Sequence, residues 1–236
     1  MSDYQNIYTN HAKEYDALVR AEDADGNLIP TIETIHSLTG AAVLEMGIGT
    51  GRIARAIVHR VDKLVGVDRS SAMLAIAREH LESIPNAGPW ELHCADAREF
   101  SAPSGQFDVA IAGWVFGHFR SWMADDWRNQ IGRALQQMRQ ALKPGGALVI
   151  IETLGTGWEQ PRPPSPALAE YFQWLEEEQK LARTAFRTDY SFPDVETAAI
   201  TTGAFFGDEF AARVRREGWQ RVPECTGMWA TRIPSA

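Results

Sequence analysis

Basic excess, cysteine and long apolar runs are all scarce in this chain. Asp and Glu outnumber Lys and Arg, 31 to 23, for a formal charge of −8. That balance does not favour a polyanionic partner, whose phosphates call for a basic face, so nucleic acid is not an expected partner. The two cysteines, Cys94 and Cys225, fall in predicted strands, and no C-x-x-C occurs. They read as two buried thiols in a reducing compartment rather than a redox or zinc motif. No apolar stretch is long enough to span a bilayer. The N-terminus, Met1-Ser2-Asp3-Tyr4-Gln5-Asn6, has no basic region followed by an apolar run, so no signal peptide is read there. A cytoplasmic protein without a membrane partner is expected. What remains is ordinary for a globular chain: 236 residues, 44% hydrophobic and 23% charged, enough for one large domain with a sizeable core.

Against this background one stretch stands out. In Val43-Leu44-Glu45-Met46-Gly47-Ile48-Gly49-Thr50-Gly51 an apolar run ends in an acid, three glycines follow at alternate positions, and a helical pattern opens at Arg52. A strand that turns through glycines onto a helix N-terminus lets a ligand approach bare backbone. A second apolar run, Leu64-Val65-Gly66-Val67, ends at Asp68, whose carboxylate can accept from the two vicinal hydroxyls of a ribose. An adenosine-type cofactor is expected. The dinucleotide fingerprint G-x-G-x-x-G/A, read from Gly47, would put Arg52 where a small residue is needed. Glu45 beside the bend would repel a pyrophosphate and suits the ammonium of an amino-acid moiety.

Periodicity predicts strands at 41–46, 63–67, 90–94, 107–112, 147–152, 184–192 and 224–231. Helices are predicted at 1–20, 30–38, 52–60, 71–81, 125–142, 194–206 and 208–218, with an aromatic helix around 168–175. The proline-rich run 157–166 cannot be regular structure. Strands alternating with helices imply a parallel sheet covered on both faces, with ligands outside the strands' carboxyl ends. Gly47, Asp68, Asp96, Gly113 and Thr153 all fall at those ends. Asp125 and Asp126 read as acids opening a helix rather than as a metal pair, and no metal site is expected.

Further segments agree in order and spacing: Asp68-Arg69-Ser70-Ser71-Ala72-Met73-Leu74, Cys94-Ala95-Asp96-Ala97, Phe107-Asp108-Val109-Ala110-Ile111-Ala112, and Leu142-Lys143-Pro144-Gly145-Gly146-Ala147-Leu148-Val149-Ile150. With the glycine stretch they make the chain resemble the class I S-adenosylmethionine-dependent methyltransferases over residues 41–154. The resemblance implies an α/β fold with a seven-stranded, mostly parallel, doubly wound sheet whose last strand is antiparallel. It implies one domain, with N-terminal lid helices (1–40), a cofactor-binding core (41–154), and cap helices with the last strands (155–236). The implied cofactor is S-adenosyl-L-methionine. Glu45, Gly47, Gly49 and Gly51 would bend around its methionine part, Asp68 would take the ribose, and Arg69 to Met73 would flank the adenine. Asp96 and the Ala97 N–H would meet the adenine edge, and a carbonyl of Ala112 or Gly113 the methionyl ammonium. Tyr8 and Tyr15 resemble the family's lid. Helix capping is the competing reading of Asp68 and Asp96.

For the acceptor, His118 lies just past the fourth strand, where the resemblance puts the substrate pocket. An imidazole can act as a base near neutrality. Trp114 reads as a pocket wall, with Glu152 and His11 as further candidates. Trp158, Tyr171, Trp174, Phe205 and Phe206 either line an apolar pocket or simply pack the cap. The Asp/Asn-Pro-Pro-aromatic tetrad of amino-methylases of DNA bases and protein glutamine is absent; Ala112-Gly113-Trp114-Val115 stands in its place. The expected activity is in-line methyl transfer to an oxygen or nitrogen of a small organic molecule, such as a secondary metabolite, by a monomer or homodimer. An inactive cofactor-binding partner subunit and a nicotinamide-dependent oxidoreductase are the alternatives.

Overall fold

The computed structural model describes residues 11–235. Tyr8 of the expected lid lies outside them. The chain runs α1 (Ala12–Ala21), α2 (Leu28–Glu33), β1 (Ala42–Met46), α3 (Arg52–Ile57), β2 (Lys63–Asp68), α4 (Ser71–Glu82), β3 (Trp90–Cys94), β4 (Phe107–Gly113), α5 (Phe116–Trp122), α6 (Trp127–Ala141) and β5 (Leu142–Thr156). It continues with α7 (Pro166–Glu177), β6 (Ala182–Arg187), β7 (Tyr190–Ser191), α8 (Val195–Phe206), α9 (Asp208–Glu217), β8 (Arg221–Val222) and β9 (Glu224–Arg232).

Seven strands form one sheet in the order β3-β2-β1-β4-β5-β9-β6. β1 to β5 pair in parallel, and β9 runs antiparallel between β5 and β6. The expected architecture is therefore the observed one. The central strands are apolar on both faces, as a sheet covered by helices on each side requires. Alternation along each strand splits the core in two. Leu44, Met46 and Ala110 face α6 and the aromatic helix α7, while Val43, Val109, Ile111 and Val149 face α3 with Ile53 and Ile57. Among the described residues, no helix is long and apolar enough to cross a membrane.

Several expectations change. The helix expected at 30–38 is the shorter α2, followed by turns, and α3 ends at Ile57. A short helix, α5, follows β4, where no helix is predicted. The strand expected at 184–192 breaks in two, and β7 pairs with β8 in a separate ribbon. Asp189 causes the break: its carboxylate accepts from Arg187 Nε, Arg221 Nε and the Glu224 amide, contacts a continuous ladder would forbid. Cys94 is exposed, because β3 is an edge strand, and only Cys225 is buried. Asp126 accepts from the Asn129 and Gln130 side-chain amides instead of capping α6 through its amides.

Between β7 and β8 the chain inserts α8 and α9. A Cβ on Gly203 would lie 2.8 Å from that of Ala211, so the two helices meet almost backbone to backbone. Their shared core includes Leu18 of α1, which fastens the N-terminal helix to the C-terminal insert.

Candidate active site

The turn after β1 is fixed by what glycine alone tolerates. Gly47 has φ +72°, and a Cβ there would lie 2.2 Å from Val115 Cγ2. Gly49 has φ +56° but opens into free space, the nearest atom to a Cβ being Tyr15 Cε1 at 4.0 Å. Asp68, ending β2, clamps this turn. Its Oδ2 accepts from the Gly49 amide at 2.9 Å and its Oδ1 from the Ser70 amide at 2.8 Å. Ser70, not Asp68, caps α4, with its Oγ accepting from the Met73 amide. Burial pushes the Asp68 carboxyl up, and the Ser70, Gly49 and Arg69 amides oppose it. Three amides use only part of a carboxylate's accepting capacity, on a residue that lines a cleft.

That cleft, about 350 Å³, is bounded by Tyr15, Gly47, Gly49, Asp68 to Met73, Asp96, Ala97, Gly113, Trp114 and His118, among others. Its size is that of a small-ligand site. Ala112 stays outside, wholly buried between Met46 and Ile150 in the sheet; of the two carbonyl candidates only Gly113 reaches the cleft. Gly51 is the N-cap of α3, below the lining.

Beside one end, lining a small adjoining pocket with Tyr15, Gly49 and Arg52 and not the cleft itself, Glu45 is 3% exposed with its Oε2 unpartnered among the described residues. Burial pushes its carboxyl up to about 8, against the opposing Ala54 amide and Arg52 charge. Arg52 ties three regions together. It donates to Glu22 of the α1–α2 turn at 2.7 Å, bonds the Tyr15 hydroxyl, and lies 3.7 Å from the Trp114 ring centroid. Burial works against its charge, but Glu22 and Tyr15 more than offset it. At the other end, Asp96 is gripped by Arg98, Nε to Oδ1 at 2.8 Å and Nη2 to Oδ2 at 2.6 Å. Those bonds hold its carboxyl below the usual range, so part of its accepting capacity is already used. Met73 is nearly buried, packed with Ala12 and Ile76.

The wall past β4 is aromatic. Trp114 sits at φ +56°, unusual for a bulky residue, with its amide donating to the Ile151 carbonyl. Strain of this kind collects at functional sites. The His118 ring stacks on Trp122, centroids 5.1 Å apart, and the exposed Arg69 guanidinium lies 5.7 Å from Trp122. Desolvation pushes the His118 imidazole down to about 4. It is neutral at pH 7 and weakly basic, suited to a hydrogen bond more than to removing a proton. Phe119 and Trp122 also line the cleft; sequence reading missed them because α5 itself was missed.

The remaining candidates lie elsewhere. Glu152 faces away from the cleft and caps α5, accepting from the Phe116 and Gly117 amides, with Tyr171 Oη at 3.3 Å. His11 is exposed beside Glu14. Tyr171 and Trp174 are core, and Trp158 lies between Arg162 and Arg213 on the surface. Phe205, with Phe206 against it, packs on Tyr15 at the rim.

Residues 43–146 match a family described as a methyltransferase domain. A phosphatidylethanolamine N-methyltransferase of Cereibacter sphaeroides is 33% identical over 48% of this chain and 50% of its own. A ubiquinone/menaquinone biosynthesis C-methyltransferase of Geobacter sulfurreducens is 33% identical over 51% of this chain and 45% of its own. The chain thus spans about half the length of these two relatives. The YcgJ protein from Bacillus subtilis shares the fold, with a TM-score of 0.58 at 15% identity, covering 90% of this chain and 100% of that one. Residues 43–146 thus carry a methyltransferase domain, and the chain is similar to the class I S-adenosylmethionine-dependent methyltransferases.

The methyltransferase's own residues fit that cofactor. The open face of Gly49 under Tyr15 and the orphaned Glu45 Oε2 suit a cationic amino-acid end, and the remaining accepting capacity of Asp68 suits a ribose hydroxyl. The bound cofactor supplies a methyl group on a sulfonium, an activated leaving group. The protein's part is to align the two reactants, which can lower a barrier by about 7–11 kcal/mol.

Proposed function

We propose that this domain methylates a nitrogen or oxygen of a small organic molecule with a flat or apolar body, held against Trp114, Phe119 and Trp122. One observation carries the reading: beyond Gly113 the cofactor cleft is walled by aromatic rings, Trp114, Phe119 and Trp122. His118 acts as a hydrogen-bond acceptor that turns the acceptor's lone pair toward the methyl group. A neighbouring sulfonium would lower its basicity further, since like charges disfavour a second cation. The acceptor is therefore an atom that is nucleophilic with little help, such as a neutral amine or an acidic hydroxyl. Relatives named for N- and C-methylation make an activated ring carbon the second candidate.

The test is transfer of labelled methyl from S-adenosylmethionine to a panel of aryl amines, acidic phenols and electron-rich rings, with single-turnover detection. Methylated amine or phenol supports the reading. Label only on carbon would replace it with the second candidate, and no transfer to any member would point to the inactive partner subunit.

A further inference from the structure

Two walls of the cleft come from distant parts of the chain, and one guanidinium touches both. Arg52 opens α3 directly after the glycine turn, its side chain 14% exposed. It lies 3.7 Å from the Trp114 ring centroid and bonds the Tyr15 hydroxyl. All three side chains line the small pocket that adjoins the cleft. Tyr15 stands over the open face of Gly49, and Trp114 reaches the cleft from its left-handed backbone.

A carboxylate anchored elsewhere holds the guanidinium. Arg52 Nη1 donates to Glu22 Oε2 at 2.7 Å, and the Glu22 side chain is 2% exposed. The other Glu22 oxygen accepts from Thr188 Oγ1 at 3.2 Å, and Tyr190 also bonds this carboxyl. A hydroxyl has one hydrogen to give, so Thr188 spends it on Glu22 and accepts in turn from Thr226 Oγ1 of β9, at 2.6 Å. The Asp23 and Ala24 amides pin the same turn to the Thr188 and Asp189 carbonyls. The anchor is therefore the sheet itself. Arg52 cannot swing away from Tyr15 and Trp114 without leaving Glu22 a buried charge with no counter-ion. Only a guanidinium fits all these contacts: its planar fork of five donors serves two partners while its face covers an indole. A lysine ammonium is a compact point charge that keeps the ion pair alone.

We infer that Arg52 is a positioning residue for the transfer reaction: clamped by Glu22, its one guanidinium sets both Tyr15 over the glycine turn and the Trp114 ring at the wall beyond it. The Tyr15 hydroxyl then acts on cofactor binding through Arg52 and not by touching the cofactor. The inference rests on the cofactor cleft and is independent of which acceptor is methylated.

The experiment is a double-variant cycle by calorimetry of the full chain with S-adenosylhomocysteine: wild type, Tyr15→Phe, Arg52→Lys and both together. Tyr15→Phe keeps the ring and is expected to bind about fivefold more weakly, and Arg52→Lys about tenfold, the sizes of a neutral and a charge-assisted hydrogen bond. The double variant should match Arg52→Lys alone, because the hydroxyl has already lost the group it acts through. A double variant weakened by the product of the two, about fiftyfold, means independent roles and overturns the inference, as does a Tyr15→Phe protein that binds like wild type. A wild type that binds no S-adenosylhomocysteine would instead refute the cofactor cleft itself, and the inference with it. If Arg52→Lys fails to fold, fluorotryptophan labelling carries the test. The Trp114 fluorine resonance, assigned with Trp114→Phe, should move in ligand-free Tyr15→Phe, and a resonance that stays in place overturns the link.

Discussion

The two ends of the cleft are built from different materials. The cofactor end is mostly backbone: a glycine turn clamped by Asp68 through the Gly49 amide, with Glu45 beneath it. The end proposed for the acceptor is mostly side chain: Trp114 in a left-handed conformation, and His118 stacked on Trp122. A backbone site constrains residue type severely, because one added methyl fills it. An aromatic wall constrains shape, which many residues supply. The same contrast separates two buried carboxyls pushed up to about 8, Glu45 and Glu152. Glu152 spends its oxygens on the N-terminus of α5, while Glu45 keeps one oxygen unpartnered where a cation would dock.

Substitutions at the two ends should separate in the same way. The largest effect is expected from Gly47→Ala, which drives a methyl into Val115 and holds alanine at positive φ. S-adenosylhomocysteine affinity should fall on the order of a hundredfold, read by calorimetry. Asp68→Ala frees the Gly49 amide and removes the diol acceptor; a loss of at least about tenfold is expected, consistent with a charge-assisted hydrogen bond of about 1.5–3 kcal/mol. Unchanged affinity would remove the ribose assignment.

Glu152→Leu acts at the other end. It leaves the α5 amides unpartnered, at about 1–3 kcal/mol, and should raise the acceptor KM while cofactor affinity changes less than about twofold. Glu152→Gln keeps an acceptor for those amides and tests the charge. Between the ordinary carboxyl range near 4.3 and about 8, folded Glu152 holds a proton that the unfolded chain has released. Stability therefore falls as pH rises across that window, and the glutamine variant should melt with a shallower pH dependence. Each kcal/mol corresponds to about 2–4 °C in a domain of this size. The smallest effect is expected of His118→Ala: a turnover loss of about three- to fivefold from one neutral hydrogen bond, with no pH–rate limb disappearing near neutrality. Loss of such a limb would restore the general-base role.

These differences also explain what could be read in advance. The mostly parallel sheet and the glycine turn were legible because Gly47, Gly49 and Asp68 occupy positions where backbone and carboxylate chemistry admit few substitutes. Helix α5 was not, since Phe116-Gly117-His118-Phe119 carries a glycine and aromatics with no capping side chain of its own; its cap, Glu152, lies 35 residues away in sequence. The break between β6 and β7 was hidden for the same reason, because Asp189 draws its partners from across the fold. Arg52 was legible only as a residue too large for a dinucleotide turn, and its grip on Glu22 and Trp114 depends on tertiary contacts.

The most direct measurement is calorimetry of the unmodified chain with S-adenosylhomocysteine and, separately, with NAD. One equivalent of the nucleoside should bind, and the dinucleotide should give no heat. Binding of NAD alone, or of neither, would contradict the assignment of the glycine turn to a sulfonium nucleoside.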